Sequence, residues 1–366
     1  RHAMIMAVSG IGVMSVLMGV LPTYHMVGIA APILFLLFRI VQGVFVGGVT
    51  ATSHTMATET VPPRLRGFIT GIVGTGAAVG SLLASAAYSV AALMFPGESF
   101  AVWGWRAMFF FGVLPLIIAW LINLLVGESP LWLDTAKTGH KSKTPVKEVF
   151  SRENAGANTV TLMIVIGGGI MIYLTQSYMP AFLKLVNKVT NEDLGLMLIV
   201  ANFAAIAATP ILGALSEVFG RKPVFIAIGL VDLILIPYCY IHLNGLTTAS
   251  LGEIYFYAAA LTFLGNAPLG PMIIYLNERF PTKVRATGVA VSWSIGFAIG
   301  GMMPTFVTLA AGSPANMLTS VLAFLLAAIA IYIIGGILTP ETRGDMAYVG
   351  AGGEVVHSSK RLADNR

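Results

Sequence analysis

"GALSEVFGRKP", Gly213 to Pro223, gathers an acid, two bases, two glycines and a proline between two long apolar runs. Its meaning depends on the rest of the chain. The 366 residues are 57% hydrophobic and only 10% charged, with a mean hydropathy of +0.85, whereas a soluble domain carries about 25% charged residues. Runs of about 20 mostly apolar residues, long enough to cross a bilayer, recur along nearly the whole length. Lipid accepts only helices or closed barrels, and these runs are too long and too little alternating for barrel strands. The chain therefore reads as an all-α, polytopic membrane helical bundle, and "GALSEVFGRKP" as a turn joining two of its spans.

Ten spans can be placed, at 2–21, 29–57, 67–92, 105–126, 157–183, 194–216, 223–242, 252–277, 287–311 and 316–338. Residues 1–126 and 157–340 form two groups of helices, joined by a polar linker at 127–156. A polar, Gly-rich tail at 341–366 is expected to be disordered. Most Lys and Arg fall in the linker, the tail and one set of alternate loops, while the opposite set holds only Lys184 and Lys188. By the positive-inside rule the linker and tail face the cytoplasm. The net charge of +5 follows from that loop pattern and does not imply a nucleic-acid partner. Trp103 and Trp105 then fall at the outer interface.

The chain also repeats itself. "ETVPPRLRG" (Glu59 to Gly67) and "ERFPTKVRATG" (Glu278 to Gly288) share an acid, a proline and an arginine at the same spacing, which pairs Glu59 with Glu278 and Arg66 with Arg285. "VGESP" (Val126–Pro130) matches "TPETRG" (Thr339–Gly344), and Arg1 matches the Arg221–Lys222 pair. Two related halves in parallel are a design of secondary transporters.

These motifs carry a family resemblance. Gly213-x-x-x-Glu217-x-x-Gly220-Arg221-Lys222 resembles the G-x-x-x-D-x-x-G-R-[KR] signature of the major facilitator superfamily, with Glu in place of the usual Asp. Arg39-x-x-x-Gly43-x-x-x-Gly47 in "RIVQGVFVGG" resembles that family's fourth-helix signature. "GESP", "PETRG" and the paired loops also match. "WGWRAMFFFGVLP" and "NERFPTKVRATG" look most like the metabolite:proton and sialate-type symporters of the superfamily. The resemblance implies two pseudo-symmetric six-helix halves, with the first two helices absent here and ten present, a chain that begins with Arg1 rather than Met. It also implies a cytoplasmic gate at Gly213, Glu217, Gly220, Arg221 and Lys222. The expected activity is proton-coupled import of a small organic acid or related metabolite across the inner membrane by a monomer. The alternatives are an antiporter exporting metabolites or drugs, or a receptor-like member that moves nothing. The span holding "GFITGIVGTGAAVG" has glycines but lacks the G-P of the antiporter signature, which favours symport.

Arg39 stands out as a candidate coupling or substrate residue. A charged side chain at mid-span costs at least ~2.5–3.5 kcal/mol, so it should face the protein and have a use there. In the resembled family this Arg works with an acid on the first helix, which this chain lacks. Asp232 in "GLVDLILIP" is either a hydrogen-bonded structural acid or a proton site, and His54 is either a titrating or an inert interfacial group. Candidate solute contacts are Gln42, Tyr173, Gln176, Tyr178, Asn266, Ser292 and Trp293, with Pro180 breaking the helix near the second cluster. Each could equally be packing glue between helices.

Nothing in the sequence points to an enzyme, a cofactor or a metal. There is no GK[ST] phosphate loop, and "GGG" at Gly167–Gly169 follows no strand. The six His residues are scattered without metal-ligand spacing, and the single Cys239 allows no intrachain disulfide.

Overall fold

The computed structural model describes residues 1–62, 65–95, 99–128, 147, 149–151, 155–280, 284–344, 348–349 and 355–356. Most of the expected linker, and the loop residues Arg64 and Lys283, lie outside these. In chain order the helices are α1 (His2–Gly19), α2 (Tyr24–Val27), α3 (Ala30–Thr60), α4 (Arg66–Gly74) and α5 (Gly76–Met94). A π turn at Phe100–Gly104 leads into α6 (Trp105–Phe110), and α7 (Val113–Leu125) follows. Then come α8 (Ala155–Ile172), a second π turn (Tyr173–Ser177), α9 (Met179–Leu185), α10 (Asn191–Phe219) and α11 (Arg221–Gly245). The last are α12 (Leu251–Asn266), α13 (Leu269–Arg279), α14 (Arg285–Ala311) and α15 (Met317–Leu338). Ten of these helices or helix pairs are long and apolar enough to cross a membrane, and they coincide with the ten expected spans. Tyr348 and Val349 pair antiparallel with Val356 and Val355, as β-branched and aromatic residues do when a Gly-rich stretch separates them.

Packing divides the chain into two compact units, Arg1–Met56 with Gly80–Ser129, and Ala57–Val79 with Pro130–Arg366. Residues 57–79, which the repeat places in the first half, thus pack in the second unit. In the first unit α1 lies against α6 and α7, and Gln42 of α3 donates to Ser15 Oγ of α1 at 2.8 Å. In the second unit α8 packs on α14 and α15, α10 on α4, α12 and α13, and α11 on α15. Its apolar core runs through Phe225, Tyr275 and Tyr332, with Phe225 edge-on to both tyrosines at 5.2 and 5.8 Å.

Small residues set the closest approach. A Cβ on Gly67 would stand 2.3 Å from the Gly213 carbonyl, and one on Gly213 would stand 2.2 Å from that of Gly67. The backbones of α4 and α10 touch there, which no larger residue permits. The span at 252–277 is interrupted where Asn266 ends α12 and Leu269 starts α13. Pro268 and Pro271 lack the N–H groups that would carry one helix through.

Candidate functional site

The gate motif begins with a turn one residue long. α10 ends at Phe219, α11 starts at Arg221, and Gly220 between them has φ 97°, a conformation that side chains with a Cβ rarely adopt. The turn leaves the first N–H groups of α11 without helical partners. Glu341 supplies them: its Oε1 accepts from Arg221 N at 2.9 Å and its Oε2 from Lys222 N at 3.1 Å. The acid of "TPETRG" therefore caps the helix that the gate motif opens.

Arg221 is 1% exposed and fully engaged. Its Nε and Nη2 donate to Oε2 and Oε1 of Glu278 at 3.0 and 2.9 Å, a bidentate fork. Nη2 also donates to Glu217 Oε1 at 2.8 Å, and Nη1 to Ser216 Oγ at 3.0 Å. Thr342 Oγ1 donates to Glu278 Oε2 at 2.8 Å. Glu217 has a second task, since its Oε1 accepts the N–H of Gly67 at 2.6 Å and so caps α4. The extra methylene over the family's usual Asp gives this carboxylate its reach to both groups.

The two loop repeats interlock crosswise. Arg285 Nη1 is ion-paired with Glu59, both buried, and Arg285 Nε donates to the Asn277 carbonyl at 2.9 Å. Arg66 lies within electrostatic reach of Glu278 and Glu217. The acid of the first repeat thus pairs with the base of the second, and the acid of the second lies within electrostatic reach of the base of the first. A hollow of about 370 Å³ opens among Arg66, Glu217, Arg221, Glu278 and Arg343. Buried charges persist only when paired in this way, because an isolated one is several kcal/mol more costly.

Farther along the second unit, three amides from three helices form a chain. Asn266 of α12 donates to Gln176 Oε1 at 3.2 Å, and Gln176 Nε2 donates to Asn202 Oδ1 on α10 at 3.1 Å. The outer amides are anchored to their own helices, Asn202 on the Leu198 carbonyl and Asn266 on that of Thr262, both at 2.8 Å. Asn202 was not among the sequence candidates, though an Asn inside "ANFAAIAATP" is signal enough to have raised it. Beside this cluster Tyr173 stands edge-on to Phe297 at 6.2 Å, and Trp293 stacks on Phe297 at 4.2 Å. Tyr178 is 1% exposed and Ser292 0%, both within the packed interior.

Arg39 lies in the first unit with its guanidinium over the rings of Phe35 and Phe109, at 5.2 and 5.4 Å. Its Nη1 donates to Gln42 Oε1 at 3.2 Å. No carboxylate pairs with it among the described residues. His54 is buried on α3. Asp232 on α11 is 1% exposed, neither of its oxygens has a hydrogen-bond partner among the described residues, and it borders an apolar hollow of about 440 Å³.

Ten apolar spans, small residues at helix crossings and a buried ionic lattice at one end define a multi-pass helical transporter. The chain belongs to the Major Facilitator Superfamily, whose profile matches residues 1–302; its members are transporters, not enzymes. It is 29% identical to the inner membrane metabolite transport protein YhjE of Escherichia coli K12, over 91% of this chain and 76% of that protein. It is 28% identical to the proline/betaine transporter of the same organism, over 88% of this chain, and spans 66% of that protein's length. Among solved structures, the proton:xylose symporter XylE superposes with a TM-score of 0.76 at 15% identity, covering 99% of this chain and 83% of that one. The fucose:proton symporter FucP of E. coli superposes with a TM-score of 0.62 at 15% identity, covering 92% and 84%.

Proposed function

We propose that this protein is a proton-coupled importer of a small carboxylate-bearing metabolite, working as a monomer by alternating access in the inner membrane. The observation that carries the substrate class is Arg39. A guanidinium within an apolar helix, set against two phenyl rings and hydrogen-bonded to an amide, with no carboxylate on it among the described residues, supports its reading as a counter-ion for an acid. One relative supports this class, since proline and betaine, for which it is named, each carry a carboxylate. Coupling to protons rests on the resemblance of "WGWRAMFFFGVLP" and "NERFPTKVRATG" to the metabolite:proton symporters, and on a sequence without a nucleotide-binding loop. Asp232 and His54 are the remaining candidates for the proton. Gln42, Tyr173, Gln176, Asn266 and Trp293 contact the solute, and the buried Tyr178 and Ser292 support them. Gly213, Glu217, Gly220, Arg221 and Lys222 form the gate, joined by the loop repeats Glu59, Arg66, Glu278 and Arg285, and the Lys and Arg distribution supports a cytoplasmic side for them, the linker and the tail.

The test is uptake by proteoliposomes carrying the whole protein, offered a panel of labelled carboxylates with proline and betaine included. An inward proton gradient should raise the rate. Arg39→Ala should lower acid-driven uptake at least tenfold, and Arg39→Lys should restore part of it, because a point charge lacks the guanidinium fork. Undiminished uptake by Arg39→Ala, or export of the solute in exchange for protons, would overturn this reading.

A further inference from the structure

The π turn at Tyr173–Ser177 holds a carbonyl that no helical N–H takes. In a regular helix the Leu174 carbonyl would accept from Tyr178 N, but Tyr178 N donates instead to Tyr173 O at 2.9 Å, one residue farther back. Pro180, lacking an N–H, keeps the ladder from re-forming on the Gln176 carbonyl. The freed Leu174 oxygen meets the phenol of Tyr240 on α11, which donates to it at 2.5 Å. Tyr240 is 0% exposed and its ring is edge-on to Phe182 of α9 at 5.3 Å, so the hydroxyl is delivered by a rigid, packed side chain. From α12 the backbone comes so close that a Cβ on Gly265 would stand 1.8 Å from Thr175 Oγ1. The Tyr240 hydroxyl of α11 and the packing of α12 and α14 against the turn together clamp it.

That clamp sets the direction of Gln176. A π turn inserts one residue, which rotates side chains by roughly 100° relative to an unbroken helix. In the inserted register the Gln176 amide meets both Asn202 and Asn266. We propose that Tyr240 is a positioning residue for solute binding: its phenol, by holding the Leu174 carbonyl, locks the π turn that aims Gln176 into the amide chain. The proposal rests on the reading of Gln176 as a solute contact. Any buried tyrosine needs a partner for its hydroxyl; what is specific here is that the partner is a carbonyl the π turn releases.

The experiment compares the whole protein with Tyr240→Phe and Gln176→Ala, in nanodiscs for amide exchange and in proteoliposomes for uptake of labelled proline and betaine. Tyr240→Phe keeps the ring and its contact with Phe182 and removes only the donor. Exchange across 173–178 should rise about tenfold or more, while 155–172 stays unchanged. The KM should rise about five- to twentyfold with kcat within twofold, and Gln176→Ala should show the same split. Wild-type exchange in Tyr240→Phe overturns the clamp. Raised exchange with an unchanged KM, while Gln176→Ala still raises KM, overturns the positioning role alone. An unchanged KM in both variants overturns that role together with the reading of Gln176.

Discussion

In the ionic lattice, full charges are neutralised within bonding distance, the buried Arg221 against the buried Glu278 and the partly buried Glu217, and Arg285 against Glu59. In the amide chain, Gln176, Asn202 and Asn266 bring three helices together without any charge. Both arrangements satisfy polar groups in a low-dielectric interior, but they respond differently to change. Removing one partner from a buried ion pair strands the other, at a cost of about 3–5 kcal/mol. An amide hydrogen bond contributes about 0.5–1.5 kcal/mol net, because water or a ligand can replace it. The lattice therefore suits a latch that holds one arrangement of helices until all its partners are exchanged together. The amides suit a surface that gives up its internal bonds to an incoming solute.

Breaking this contrast should produce effects in a definite order. The largest belongs to Arg221→Met, which strips the buried Glu278 and the partly buried Glu217 of their directly bonded cation. Stability in detergent should fall by about 3–5 kcal/mol, read as a large drop in Tm, and Glu278→Gln added to it should recover a clear part. A loss no greater than that of a surface variant would mean the lattice is solvated and cannot latch.

Gln176→Ala should come next, and through a different observable. Stability should fall by only about 0.5–1.5 kcal/mol per bond lost, while uptake affinity drops severalfold. A stability loss as large as that of Arg221→Met, with affinity intact, would recast the amides as structural pins.

The smallest effect is expected for Glu341→Gln. The amide can still accept from Arg221 N or Lys222 N through one oxygen, so helix capping weakens by about 0.5–2 kcal/mol, the range found for capping residues. Transport rate should shift with little change in affinity. A severe loss would show that the negative charge of Glu341, rather than its hydrogen bonds, keeps α11 in place.

How much of this was legible beforehand depended on whether the information was local. Membrane spans follow from apolar length, because the bilayer tests every residue of a helix against the same hydrocarbon. The one-residue turn at Gly220 follows from its own conformational freedom, and the loop repeats at Glu59–Arg66 and Glu278–Arg285 are visible by spacing alone. Even the close packing at Gly213 is implicit in its missing side chain. Partner choice is another matter. That Glu59 bonds Arg285, and that Glu341 caps a helix 120 residues earlier, depends on where distant segments meet. So does the partner of the π turn's Leu174 carbonyl, which is the phenol of Tyr240 from a separate helix. Charge and spacing along a chain specify which groups must find partners in the membrane; which partners they find is decided by packing, where backbones approach closely enough for a carboxylate or a phenol to reach.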